Sequence, residues 1–416
     1  MTIARLGVDA CEIMAELDGL AAMSDTPLPA VTRVVYTAPD LAARAFIRDL
    51  CNDAGLAVRE DAIGNTFARW EGQKAGLAPV GTGSHIDAIP HSGRFDGTVG
   101  VIGGLAAIRS LKRAGFQPIR PVELLIFTSE EPTRFGIGCL GSRALAGSMT
   151  PEALRALKDV DGRSFDDIRQ EAGFHSELAS VRLPAGYFAA FVELHIEQGP
   201  LLERAGVPIG IVTAIAAPAA LRVTCKGEGG HAGTVLMNGR RDALCAAAEV
   251  VLAVEASARS TESPDTVATT GVCRVHPGAI NSIPDHVTLE IDIRDVDLTR
   301  RDRVLETVGS AIKAIAARRQ VAAVTQCLSA DPPTSTAPFV VQAIQAACRT
   351  LGLENVPIVS RAYHDSLFMA AIAPTGMIFV PCKEGISHRP EEYSEPEAIA
   401  RGVEVLALTL KELAEK

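Results

Sequence analysis

The chain has 416 residues, with 40 Lys plus Arg against 50 Asp plus Glu, a formal net charge of −10, and 47% hydrophobic residues. That length leaves room for roughly two to three domains, the acidic balance without a basic run argues against nucleic acid as a partner, and the composition is that of an ordinary globular protein. No stretch reaches the ~18 consecutive apolar residues of a membrane span, and nine scattered cysteines without a CxxC pair indicate neither a disulfide framework nor a thiolate zinc site. Asp9, Glu12, Glu16 and Asp18 interrupt the apolar core that a signal peptide needs, so a cytoplasmic setting without membrane contact is expected.

In chain order, Val8, Ile13, Met14, Leu17 and Leu20 predict a helix over 8–20, and 39–54 reads as a second with Leu41, Ala42, Phe46 and Leu50 inward. A short hairpin (57–60 and 66–70), a strand (80–85), a helix (97–114) and a buried strand (121–128) follow. This alternation predicts an α/β fold, a mixed central sheet with helices on both faces. From 213 to 330 the order becomes strand (219–227), helix (240–258), strand (266–276), strand (287–294), helix (302–318) and strand (322–328). That βαββαβ order predicts an inserted ferredoxin-like domain, flanked by turn-rich hinges at 210–216 and 331–338. Residues 1–212 and 331–416 would then form the two parts of one larger domain.

The strongest local signal is GTGSHIDAIPHSGRFDG (81–97), where an apolar strand empties into a loop holding His85, Asp87 and Asp96. Strand ends are where α/β enzymes place their sites. His85 and Asp87 share one face of an extended segment, so Asp87 could fix the tautomer of a metal-binding imidazole. A turn or a surface ion pair is the plainer reading. After PVELLIFT come Ser129, Glu130, Glu131 and Pro132. Adjacent carboxylates repel, and a divalent cation would relieve one and leave the other as a general base; a helix N-terminus is the alternative.

His195, with Glu197 and Gln198, closes a third strand, and His388 follows the apolar run 377–381. Single histidines in such places are usually solvated or core residues, but four acid or imidazole clusters after four strands suit a two-metal site of nitrogen and oxygen ligands for zinc, manganese or cobalt. In the inserted domain, GEGGHAGTVLMNGRRDAL holds His231, HPGAINSIP holds Asn281 and EIDIRD holds Arg294. An arginine fork and an amide suit a carboxylate; a surface pair of Arg294 with Asp292 or Asp295 is the competing reading. His276 and His286 read as solvent-facing.

SHIDAIPHSGRFDG, the SEEP pair, ELHIEQGP, GGHAGT with MNGRRDAL, GAINSIPDHVTLEIDIRD and GISHRPEEY resemble, in that order, the signatures of the hydantoinase and carbamoylase amidases, a branch of the dinuclear metallo-aminoacylase and carboxypeptidase family. The resemblance implies that His85, Asp96 and His195 hold one metal and Asp96, Glu131 and His388 the other, with Asp96 bridging. It implies Glu130 as general base, Asp87 as the residue that orients His85, and Gln198, Asn281, Arg294 and His231 as substrate contacts, His231 also stabilising the oxyanion. The inserted domain would be both lid and homodimer interface. GGHAGTVLM, TAIAAPAALRV and SRAYHDSLFMA, with Arg361, Tyr363 and Ser366, resemble the members acting on ureidoglycolate. The implied reaction is hydrolysis of the ureido C–N bond of a small anionic ureido acid. Carbamoyl-amino acid or allantoate hydrolysis is the alternative, and a noncatalytic ureido acid- or metal-binding protein is the reading from another class.

Overall fold

The computed structural model describes residues 6–416. The chain divides into two compact units, one of Met1–Thr213, Ser335–Ile358 and His364–Lys416, the other of Ala214–Thr334 with Val359–Tyr363. The second unit thus runs a few residues further than the inserted segment read from sequence and takes in a short piece of the later chain.

In the first unit, the strands Thr375–Val380, Ala190–Ile196, Val80–His85 and Val122–Phe127 lie side by side and parallel. Thr66–Trp70 and Ala57–Glu60 then continue the sheet antiparallel, and Ile209–Ile215 pairs antiparallel with Thr375–Val380 on the other side. The sheet is therefore mixed. The parallel strands are apolar along their whole length because both faces are covered. Successive side chains serve different cores: Val122, Leu124 and Ile126 join one cluster, Leu125 and Phe127 the other. The first core is built with the helices Ala10–Ala21, Thr98–Arg113, Pro338–Leu351 and Pro396–Ala414. The second gathers Phe67, Phe165, Phe188 and Phe191. A buried leucine or phenylalanine in either contributes roughly 1.5–3 kcal/mol. The helix Thr98–Arg113 seats closely because Gly100 has no side chain; a Cβ there would lie 2.4 Å from the Leu194 carbonyl.

Two expectations are corrected. The helix Ala38–Asp53 turns Asp40, Ala43, Arg44, Ile47 and Cys51 inward and leaves Ala42 exposed, with Leu41, Phe46 and Leu50 only partly buried. The inward charges pair with each other: Arg44 Nε donates to Asp40 Oδ2 at 2.8 Å, and the Tyr36 amide donates to the same oxygen. Part of the loop after His85 is a strand, Ala88–Ser92, paired with Val31–Arg33.

The second unit is a four-stranded antiparallel sheet in the order Val267–His276, His286–Asp295, Ala217–Lys226, Ala322–Ala330. The helices Ala243–Arg259 and Leu298–Arg319 pack on it through Val250, Val254, Val308 and Ile312. Among the described residues no helix is long and apolar enough to cross a membrane.

Candidate metal centre and active site

Because the four parallel strands point one way, their C-terminal ends share one edge of the sheet, and the residues that follow them converge there. One ligand atom each from His85, Asp96 and His195 lies within 4.8 Å of the others, and the same holds for Asp96, Glu131 and His388. Asp96 belongs to both groups. His195 Nε2 lies 3.2 Å from Asp96 Oδ1, and His388 Nε2 lies 3.1 Å from Asp96 Oδ2 and 3.4 Å from Glu131. His85 Nε2 is 3.8 Å from Asp96 and 3.7 Å from Glu130 Oε2. Glu130 stands beside both groups and in neither.

The histidines are turned for lone-pair donation. His195 Nδ1 donates to the Ile196 carbonyl at 2.9 Å and His85 Nδ1 to the Asp87 carbonyl at 3.1 Å, so each presents Nε2 to the centre. Asp87 acts on His85 through this carbonyl, while its carboxylate, 3.6 Å from the imidazole, accepts the amides of Glu130 and Glu131 at 3.1 and 3.0 Å. Its carboxylate sets the acidic loop, a geometry that the two-residue spacing did not anticipate. That loop is irregular chain, and the nearest following helix starts at Leu140, so the helix N-terminus reading of Ser129 to Pro132 does not hold.

Asp96 is held from several sides. Gln198 Nε2 donates to its Oδ2 at 2.8 Å, and Ser387 Oγ lies 3.2 Å from the same oxygen. Gln198 Oε1 is buried without a hydrogen-bond partner in the structure. Glu392, which sequence reasoning missed, accepts the amides of Phe95 at 2.8 Å and Asp96 at 3.0 Å and the Ser387 hydroxyl at 2.8 Å. Its only signal was the acid pair after His388 in HRPEEY. Glu197 caps the next short helix through the Leu201 and Leu202 amides. The grouping of Glu193, His195 and His364 is of another kind: Glu193 takes hydrogen bonds from Ser84 Oγ and from the Ser366 amide and hydroxyl, which use its lone pairs internally.

Burial dominates the electrostatics. Asp87, Asp96, Glu130, Glu131, Glu193, Asp365 and Glu392 are all buried in this region, and such a surplus of anions is costly without counter-charge. Burial works against an ionised Asp96, but the adjoining His195 and His388 imidazoles hold its carboxyl well below the usual range. Burial and the nearby Asp96 push Glu131 up to about 7. Burial first, with Glu131 adding repulsion against the pull of His85, drives Glu130 well above a normal glutamate. The hydrogen bond to Asp96 raises His388 to about 9. The backbone is strained here: Ser129, Cys139, Gln198 and His388 take φ of 57°, 56°, 55° and 59°, and left-handed non-glycine residues cluster at functional sites.

Gly97 was also missed. It sits at φ 67°, donates its amide to His195 Nε2 at 3.1 Å, and a Cβ there would lie 2.4 Å from His85 Nε2. Gly97→Ala is therefore expected to displace His85 at a cost of about 1–3 kcal/mol. Elemental analysis after dialysis should find most of the bound metal gone while the far-ultraviolet dichroism is unchanged; full metal content would contradict the placement.

The other predicted residues lie in the second unit. His231 is exposed, its Nδ1 accepting the Gly233 amide at 3.1 Å, and Asn281 is exposed, its carbonyl accepting the Ala232 amide. Arg294 pairs with Asp292 at 2.8 and 3.1 Å, donates to the Arg361 carbonyl, and lies 5.9 Å from the Tyr363 ring centre. The ion pair foreseen as the competing reading is thus present, with Asp292; Asp295 pairs with Arg300. His276 is solvent-facing, paired with Asp285 at 3.0 Å, whereas His286 is half-buried rather than exposed.

Residues 81–412 match the family model described as peptidase family M20/M25/M40. A rice protein named ureidoglycolate hydrolase is 53% identical over 98% of this chain and 85% of its own length. A protein from Geobacillus stearothermophilus named N-carbamoyl-L-amino acid amidohydrolase is 39% identical over 95% of this chain and 96% of its own. A crystal structure of AtUAH in complex with glyoxylate superposes with a TM-score of 0.91 at 50% identity, covering 99% of both chains.

Proposed function

The chain belongs to peptidase family M20/M25/M40, and from that membership we propose that it hydrolyses the ureido C–N bond of a small anionic ureido acid, ureidoglycolate, to glyoxylate, ammonia and carbon dioxide. The observation that carries the hydrolytic reading is Glu130, a buried carboxylate beside both ligand groups and part of neither. The choice of substrate is supported by the likeness to the rice ureidoglycolate hydrolase and to AtUAH.

The donor set fits a pair of divalent ions. Two imidazoles present Nε2 inward, and Asp96 offers one oxygen to each group. The buried acids outnumber the cationic groups around them, which divalent charge would balance. His85, Asp96 and His195 would hold one ion and Asp96, Glu131 and His388 the other, with nitrogen and oxygen donors suited to manganese, zinc or cobalt. When bound, the ions supply Lewis acidity and make water a nucleophile near neutral pH.

The chain's own residues supply the rest. Glu130 takes a proton from water as its oxygen attacks the carbamoyl carbon, and returns it to the leaving nitrogen as the C–N bond breaks. The carbamate decomposes to ammonia and carbon dioxide, and the hydroxyglycine loses ammonia to give glyoxylate. Gln198 Oε1, buried and unpartnered, accepts a ureido N–H. To Arg294 and Asn281 we assign the substrate carboxylate, and to His231 the tetrahedral oxyanion. We also assign homodimer formation to the second unit, supported by its exposed Leu236, Met237 and Ile280.

Ammonia release from ureidoglycolate, allantoate and N-carbamoyl-amino acids, measured side by side after loading with manganese, zinc and cobalt in turn, tests the proposal. Ureidoglycolate should have the highest kcat/KM by at least about tenfold, the low end of what one methylene of pocket fit gives. Preference for carbamoyl-amino acids would move the assignment to that branch, and binding without turnover would make the protein a binder.

A further inference from the structure

We infer that Cys139 is a positioning residue for Glu130, its thiol fixing the carboxylate so that one oxygen is directed to the reacting water. The inference rests on the reading of Glu130 as general base. Cys139 Sγ lies 3.5 Å from Glu130 Oε1, while the other oxygen, Oε2, is the one 3.7 Å from His85 Nε2. A carboxylate attached through a flexible ethylene arm has two equivalent oxygens, and a donor on one of them selects which faces the centre. The thiol is the donor: Cys139 is fully buried, and burial together with the neighbouring Glu130 and Asp365 carboxylates keeps it protonated.

The backbone is built around this contact. The Cys139 amide donates to the Glu130 carbonyl at 2.8 Å, the Leu140 amide to Ser129 at 2.9 Å and the Gly141 amide to Thr128 at 2.8 Å. Both sides of this clamp carry a left-handed non-glycine residue, Ser129 at φ 57° and Cys139 at φ 56°. Glycine would adopt that conformation without strain, so local backbone stability does not explain a side chain at 139. Helix capping does not explain it either: Cys139 is the N-cap of Leu140–Ala146, yet its side chain makes no capping hydrogen bond. The sulfur is directed at the base instead.

Cys139→Gly separates the two roles, because it removes the donor while relieving the backbone, a relief that the small cavity left behind partly offsets. It should melt close to the parent, strain relief and the lost buried side chain opposing one another, bind the same amount of metal, keep KM within about twofold and lose about tenfold in kcat through misorientation of a catalytic group. Cys139→Ser restores a donor in the same strained conformation and should recover kcat to within about threefold, even though the backbone strain returns with it. Parental kcat in Cys139→Gly overturns the inference, as does a Cys139→Ser protein as slow as Cys139→Gly. A KM that rises, or a metal content that falls, in parallel with the loss of kcat shows a structural role and overturns it too. Turnover by Glu130→Gln would instead overturn the reading of the base, so the two failures are distinguishable.

Discussion

Replacing Glu130 by Gln is expected to lower kcat on the ureido acid by about 10²–10⁴-fold, the usual contribution of a positioned acid-base group, with metal content close to that of the parent. The physical reason is the separation of duties at the SEEP loop. Asp87 receives the amides of both acids, so the loop keeps its conformation whichever side chain follows. Glu131 is turned to His388 and Asp96, Glu130 to His85 and Cys139. Glutamine fills the same volume and takes the thiol hydrogen bond but cannot accept the proton from water. Elemental analysis and kcat measured on one preparation check this. Parental turnover would remove Glu130 from the chemistry, and loss of metal would make it a ligand.

Asp96→Ala is the second large effect. It should deplete both metal positions together, with affinity falling by about 10²–10³-fold or more at each, as expected when one member of a buried charged cluster is deleted. Asp96 gives one oxygen to each group, and its removal also strands the Gln198 amide that donates to it. A variant affecting one group only, His388→Ala, should lose one ion and keep the other more tightly. Retention of one ion in Asp96→Ala would show that the carboxylate does not bridge.

The sequence carried much of this because the site lies at strand ends. Apolar runs such as PVELLIF announce buried parallel strands, and the polar residues after them must share one edge when the strands are parallel. His85, Asp96, Glu131, His195 and His388 could therefore be singled out, although their convergence could be read only from the fold. What escaped notice was set by partners remote in the chain. Glu392 matters through the amides of Phe95 and Asp96, and neither contact leaves a trace in local periodicity. Asp40 and Arg44 looked like the outer face of a helix, but a buried pair four residues apart, with Tyr36 and Gly64 as further partners, reverses the face. The strand Ala88–Ser92 pairs with only three residues, Val31–Arg33, too short for an alternation pattern to register.

Crystals of protein loaded with zinc, with diffraction data collected on both sides of the zinc absorption edge, measure the central claim directly. Two anomalous peaks per chain are predicted, one among His85, Asp96 and His195 and the other among Asp96, Glu131 and His388. A protein fully active after loading but without anomalous density at these residues, or with its ions held elsewhere, would contradict it.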